Sequence, residues 1–317
     1  MYPTSIARRR LIAAGLAGGA LAGLGGWSRL LAAAEAAVAL PLVKKPIPSS
    51  GELLPVIGIG TSRRYDVGAD ENVRGPLREV IRRFAELGGT LIDTAPSYGQ
   101  AEGVVGDLVD ETGLRDALFI ATKVGAGRHG AEAGMTEMEA SLHRLRSDRS
   151  DLLQVHNLAG FDAMLPLIRD FKDQGKTRYI GASTSSKGQY GDFEAAMRRE
   201  DMDFIQVDYA IDNRDAAERI LPLAADRGMA VLVNLPFGRG RVLQHFRGQS
   251  LPEWATELGI ATWAQFALKY VVSHPAVTAA IPGTATLAYL EDNLAAARGP
   301  MPDAATREKM AALIASG

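Results

Sequence analysis

Asp93, Tyr98, Lys123 and His156 fall in three short strings, LIDTAPSYG (Leu91–Gly99), IATKVG (Ile120–Gly125) and LLQVHN (Leu152–Asn157). Each string begins as an apolar run and ends in a reactive side chain. An acid, a phenol, an amine and an imidazole that meet in one pocket can deliver a proton to a substrate oxygen. A phenol with a pKa near 10 is a weak acid at neutral pH. An ammonium beside it favours the phenolate and makes the proton easier to release. Asp93 would keep that ammonium charged, and His156 would orient the substrate oxygen. Tyr98 is then the general acid toward a carbonyl that receives a hydride.

Such a set has to be held by a repeating scaffold. Short apolar runs bounded by Gly, Asp or Pro recur at 56–61, 90–95, 118–124, 152–158, 179–183, 203–209, 230–235 and 277–281. Each is too short for a core helix and reads as a buried strand. Helical segments alternate with them, among them 76–87, with Pro76 in its first turn, 135–145, 161–174 and 214–227. Leu165, Ile168 and Phe171 share one helical face, and Gly175 and Gly228 stand where helices should stop. Strand then helix, eight times over, predicts an α/β fold of the (β/α)₈ TIM-barrel kind. The competing open doubly wound sheet lacks its fingerprint, because Gly58-Ile59-Gly60-Thr61-Ser62 has no third glycine.

Composition narrows the function. The chain has 317 residues, 47% of them hydrophobic, with 35 basic against 37 acidic residues and a net charge of −2. Nucleic acid is not an expected partner of so balanced a chain. With no cysteine, thiol catalysis, disulfides and cysteine-ligated metal are excluded. His129, His143, His245 and His274 show no pairing at ligand spacing, so no metal site is expected.

The N-terminus reads as an address. Arg8, Arg9 and Arg10 precede the Gly/Ala-rich run Leu11–Gly26, and Ala34-Glu35-Ala36 offers a small-residue cleavage site. The run is shorter than the roughly 20 residues that span a bilayer, and the arginine pair resembles a twin-arginine export signal. Residues 1–37 are therefore read as signal, 38–52 as a proline-containing linker and 53–317 as the barrel. A periplasmic location is expected; an uncleaved signal acting as a membrane tether is the alternative.

The strings around the four reactive residues closely resemble the aldo-keto reductases, from about Leu54 to Leu294. The family's tetrad would fall on Asp93, Tyr98, Lys123 and His156. The resemblance implies a nicotinamide cofactor across the barrel mouth, NADP(H) slightly favoured and NAD(H) possible, and a small-molecule carbonyl or alcohol substrate. Gly60 and Thr61 would close the first strand beside the cofactor. Ser183 and Gln206 would hold the carboxamide, with Thr184 where the family usually has asparagine, and Tyr209 would stack on the nicotinamide. The loop Pro236-Phe237-Gly238-Arg239-Gly240-Arg241 is similar to the pyrophosphate loop. At the adenine end, Gly283 and Tyr289 stand where many members carry cations, while Thr284 and Asn293 keep polar groups. Tyr65, Phe237 and Trp254 are candidates for the substrate mouth. A catalytically slow nucleotide-binding or redox-sensing subunit on the same barrel is the alternative function. An exported enzyme would either retain its cofactor or need a redox partner, and otherwise meets only the export machinery.

Overall fold

A computed structural model describes residues 40–315. The segment read as an export signal lies outside the described residues. Among the described residues no helix is long and apolar enough to cross a membrane.

All eight apolar runs form strands. They are β3 (Ile59–Gly60), β4 (Leu91–Asp93), β5 (Phe119–Val124), β6 (Ser150–Val155), β7 (Thr177–Ser183), β8 (Phe204–Asp208), β9 (Ala230–Asn234) and β10 (Ala279–Ala280). They pair in sequence order, all parallel. The cylinder closes where Ile57 and Gly60 bridge to Ala280 and Gly283, with Gly58 and Gly60 donating to the Ala280 and Pro282 carbonyls at 2.9 and 3.0 Å. This seam needs glycine: a Cβ on Gly60 would lie 2.6 Å from the Ile281 carbonyl oxygen.

Period-two alternation sorts the side chains. Leu91, Phe119, Leu152, Tyr179 and Phe204 form a cluster of their own inside the cylinder. Their sequence neighbours Ile92, Ile120, Leu153, Ile180 and Ile205 join the helix-facing core. A packed interior of this kind leaves the polar strand ends as the place for chemistry.

The stretch expected to be a linker is ordered instead. β1 (Lys44–Pro46) pairs antiparallel with β2 (Leu53–Pro55). Ile47 is fully buried among the interior residues, and the Tyr179 hydroxyl donates to the Glu52 carboxylate at 2.7 Å and lies 2.7 Å from Ser50 Oγ. The hairpin therefore caps the N-terminal end of the cylinder. The prolines signalled a break, but proline is compatible with an edge strand, and one isoleucine anchors the turn.

The helical expectations hold with shifted ends. The first helix, Glu71–Glu86, begins at the Asp70 cap, which accepts from the Asn72 N–H, so Pro76 lies in its second turn. Leu165, Ile168 and Phe171 are buried on the helix Phe161–Asp173, and Gly175 and Gly228 adopt φ of +75° and +64°. The segment 214–227 holds only a 3₁₀ turn and the helix Ile220–Asp226. Pro222 cannot donate to the preceding turn, which keeps the helix short.

Candidate active site

Alternation places Asp93, Lys123 and Gln154 on the inner face of three successive strands, with Lys123 opposite Gln154 in the register. The Lys123 ammonium donates to both Asp93 carboxylate oxygens and to the Thr94 carbonyl, each at 2.8 Å. Both side chains are almost fully buried. Burial opposes the ammonium, yet the Asp93 charge and the nearby phenol override it and hold Lys123 above its ordinary pKa. The proton stays on the lysine. Tyr98 follows in the loop after β4, with the ammonium 5.2 Å from its ring centroid.

Tyr98 and His156 meet edge to face, ring centroids 5.9 Å apart. His156 Nδ1 lies 3.3 Å from Ser97 Oγ. Burial, with the Lys123 and Arg128 charges behind it, pushes the imidazole pKa down to about 3. His156 is therefore neutral and offers one N–H. For Tyr98 the outcome differs from the expectation. Lys123 pulls the phenol pKa down as foreseen, but burial outweighs it and the net direction is upward.

Beneath the tetrad the network continues. Gln154 Nε2 donates to Gln206 Oε1 at 3.0 Å, and Gln206 lies near enough to Asp93 to favour its charged form. Ser183 Oγ accepts the Asn157 N–H at 3.2 Å. Ser183 and Gln206 thus lie on the inner face. Gln154, Ser97 and Asn234 were not singled out from sequence, although Gln154 stands two residues before His156 on the same face. Asn234, at the end of β9, donates to the Thr184 carbonyl at 3.0 Å and keeps a buried Oδ1 without a partner.

The other candidate residues make the following contacts. Tyr209 is 1% exposed, stacks on Tyr270 and accepts from Arg307 at 2.7 Å. It follows Asp208 by one residue and so points outward, away from the mouth. Thr184 donates to Gln189 Oε1 at 2.8 Å. Thr61 bonds the Asp93 carbonyl with both its N–H and its hydroxyl, each at 3.0 Å. Gly60 serves the seam. Tyr65 is fully buried with an unpartnered hydroxyl, and Trp254 packs on Phe266 with Lys309 over its ring. Phe237 is half-buried on the loop after β9.

The loop after β9 borders a cavity of about 220 Å³ lined by Lys187, Asp208, Asp212, Gly238, Arg239 and Arg241, among others. Leu235, Gly238, Arg239 and Gly240 all adopt positive φ, a strained backbone of the kind that persists at ligand sites. A Cβ on Gly238 would lie 2.6 Å from the Asp212 carboxylate oxygens. Arg241 is tied to Asp212 at 2.9 Å, whereas Arg239 is exposed. Pro236 is buried at the start of the loop. At the adenine end Thr284 and Asn293 bond each other at 3.0 Å, and Tyr289 is 65% exposed. Gly283 lies under an arginine: the Arg64 Cγ and Nε sit 3.5 and 3.6 Å from where its Cβ would be.

The sequence profile of the Aldo/keto reductase family matches residues 56–311. The chain belongs to the aldo/keto reductase family. Among its relatives is the methylglyoxal reductase YeaE of Escherichia coli, 32% identical over 259 residues that cover 80% of this chain and 89% of that protein. An aldo-keto reductase from Klebsiella pneumoniae, crystallised in complex with NADPH, superposes with a TM-score of 0.71 at 27% identity, covering 86% of this chain and 95% of the other. The thermostable aldo-keto reductase Tm1743, crystallised with the inhibitor epalrestat, reaches a TM-score of 0.69 at 26% identity, covering 86% of this chain and all of the other. As a member of this family the protein is an oxidoreductase.

Proposed function

We propose that this protein reduces an aldehyde, ketone or sugar carbonyl with NADPH, or oxidises the matching alcohol, through Tyr98, Lys123, Asp93 and His156. The observation that carries the reading is the Asp93–Lys123 pair, closed at 2.8 Å beneath Tyr98 at the strands' C-terminal ends. Bound NADPH supplies the hydride. Tyr98 gives its proton to the carbonyl oxygen as that oxygen gains charge. Lys123 lies close enough to stabilise the phenolate left behind, and Asp93 prevents the ammonium from losing its own proton. Neutral His156 donates an N–H to the same oxygen and fixes its direction.

The residues present suit a dinucleotide. Lys187, Arg239 and Arg241 line the cavity after β9 and would face a diphosphate. Gln206 and Ser183 are placed on the mouth's inner face for a carboxamide, and the unpartnered Oδ1 of Asn234 is a ready acceptor for its amide. Arg64, over Gly283, supplies a cation near the seam that favours a phosphorylated over a plain adenosine. The relative crystallised with NADPH supports the same cofactor.

The test is a carbonyl panel with NADPH and NADH, followed by absorbance. Turnover that Tyr98→Phe abolishes supports the reading; a panel inert with both cofactors rejects it. The N-terminal arginines further lead us to propose twin-arginine export to the periplasm with the cofactor retained. Fractionation of cells making the chain with Arg8 and Arg9 changed to lysine tests this, and unaltered export would reject it.

A further inference from the structure

On the outer helices Arg78, Arg82 and Arg199 are each bound to a carboxylate. Arg63, Arg64, Arg128 and Arg239 are exposed, follow barrel strands, and have no carboxylate within ion-pair distance among the described residues. Arg64 and Arg239 border the regions assigned above to the cofactor. Arg128 does not. It lies on the loop directly after β5, the strand that ends in Lys123.

That loop is fixed on both sides. The Glu137 carboxylate accepts the Gly125 and Ala126 N–H groups at 2.5 and 2.8 Å. The loop carrying His156 packs against it so closely that a Cβ on Gly160 would lie 3.0 Å from Arg128 N and 2.3 Å from the Gly127 carbonyl oxygen. The Cβ position of Gly125 is 3.8 Å from His156 Cβ. Arg128 therefore hangs from a pinned segment beside a tetrad residue, near enough for its charge to be felt by the imidazole. Its side chain makes one hydrogen bond among the described residues, to His129 Nε2 at 3.2 Å. The carboxylate of the neighbouring tetrad, Asp93, is engaged by Lys123.

An unneutralised guanidinium on a rigid rim attracts and orients anions. One cation matches one negative charge, which favours a carboxylate over a dianionic phosphate ester. We propose that the physiological substrate is a carbonyl compound that also carries a carboxylate, and that Arg128 binds this carboxylate while Tyr98 and His156 take the carbonyl oxygen. The inference rests on the carbonyl-reduction reading and adds the substrate class.

The test uses the full chain, NADPH and two aldehydes of one shape, 4-carboxybenzaldehyde and its methyl ester, methyl 4-formylbenzoate. The wild type should favour the acid in kcat/KM by roughly tenfold, the scale of a charge-assisted hydrogen bond. Arg128→Gln should raise KM for the acid by that factor, leave its kcat alone, and leave both constants for the ester unchanged. Arg128→Lys should restore part of the preference, and added salt should erode it in the wild type. Turnover of the ester with no preference for the acid, or a preference that survives Arg128→Gln, overturns the role of Arg128 and leaves carbonyl reduction standing. Turnover of neither aldehyde overturns both.

Discussion

Two ammonium groups are held in this barrel, one at each end, by the same number of hydrogen bonds. Lys123 at the mouth donates to two carboxylate oxygens and one carbonyl, all at 2.8 Å. Lys45 at the base donates to the carbonyls of Val272, His274 and Val277 at 2.7–2.8 Å. Their acidities move in opposite directions. Lys123 rises, while burial, with Arg307 adding to it, lowers Lys45 to about 8. Carbonyl dipoles satisfy the N–H groups without replacing the hydration that a charge loses, whereas a carboxylate compensates the charge itself. The base lysine is a clip on the end of a helix. The mouth lysine is a cation beside a phenol, the arrangement on which the proposed proton transfer depends.

The comparison is broken most directly at Tyr98. Tyr98→Phe should lower NADPH-dependent turnover by about 10²- to 10⁴-fold, the span of general acid catalysis, without moving the urea midpoint. Lys45→Met should leave kcat unchanged. Steady-state kinetics on the three proteins decide it, and a Tyr98→Phe enzyme within threefold of wild type would remove the phenol from the mechanism. The pH profile sharpens the same point. With His156 down at about 3 it stays neutral, so kcat/KM for reduction should be flat from pH 5 to 8. With Tyr98 raised above its ordinary value the phenol keeps its proton until strongly alkaline pH, and activity should fall only there. A limb near pH 6.5 would mean that His156 works as an imidazolium.

Breaking the mouth pair should also unfold the protein more easily. Asp93→Asn leaves a buried ammonium without its counter-charge, a loss on the order of 3–5 kcal/mol. The double variant Asp93→Asn/Lys123→Met removes both charges and should recover most of that stability while remaining inactive. Urea unfolding of the wild type, single and double variants measures the coupling. Equal stability of single and double variants would show that the two charges do not depend on each other.

How much of this was legible in the sequence follows from the same alternation. The eight strands, and the polar residues Asp93, Lys123 and His156 at their ends, could be read because apolar runs and their polar ends are local signals. Sidedness near a strand end was the weak point. Gln206 and Tyr209 were assigned to one cofactor, yet they are three residues apart and so face opposite sides of β8. Gln154 went unread because a glutamine inside an apolar run carries no motif, although its register opposite Lys123 makes it part of the site. The base hairpin was missed because its fixing contacts, Ile47 in the interior and Tyr179 on Glu52, join residues distant in the chain. Arg64 reaches Gly283 only through barrel closure, so no spacing could have paired them.

The smallest expected effect separates the two lysines by proton linkage. Lys45 has a folded pKa of about 8 against 10.5 for the ordinary side chain. Below 8 both folded and unfolded chains carry the proton, and the burial penalty is present in full. Between these values the unfolded chain holds a proton that the folded chain has given up. Stability contributed by this group therefore rises with pH across the window. Lys45→Met lacks the effect. The difference in unfolding free energy, wild type minus Lys45→Met, should grow from pH 8 toward pH 10 in urea titrations at constant ionic strength. Buried tyrosines such as Tyr65 act in the opposite sense at still higher pH, but both proteins contain them and the difference cancels them. A difference that shrinks over this range would mean that three carbonyls stabilise the ammonium as fully as Asp93 does at the mouth, and the contrast between the two ends would then have to come from the phenol alone.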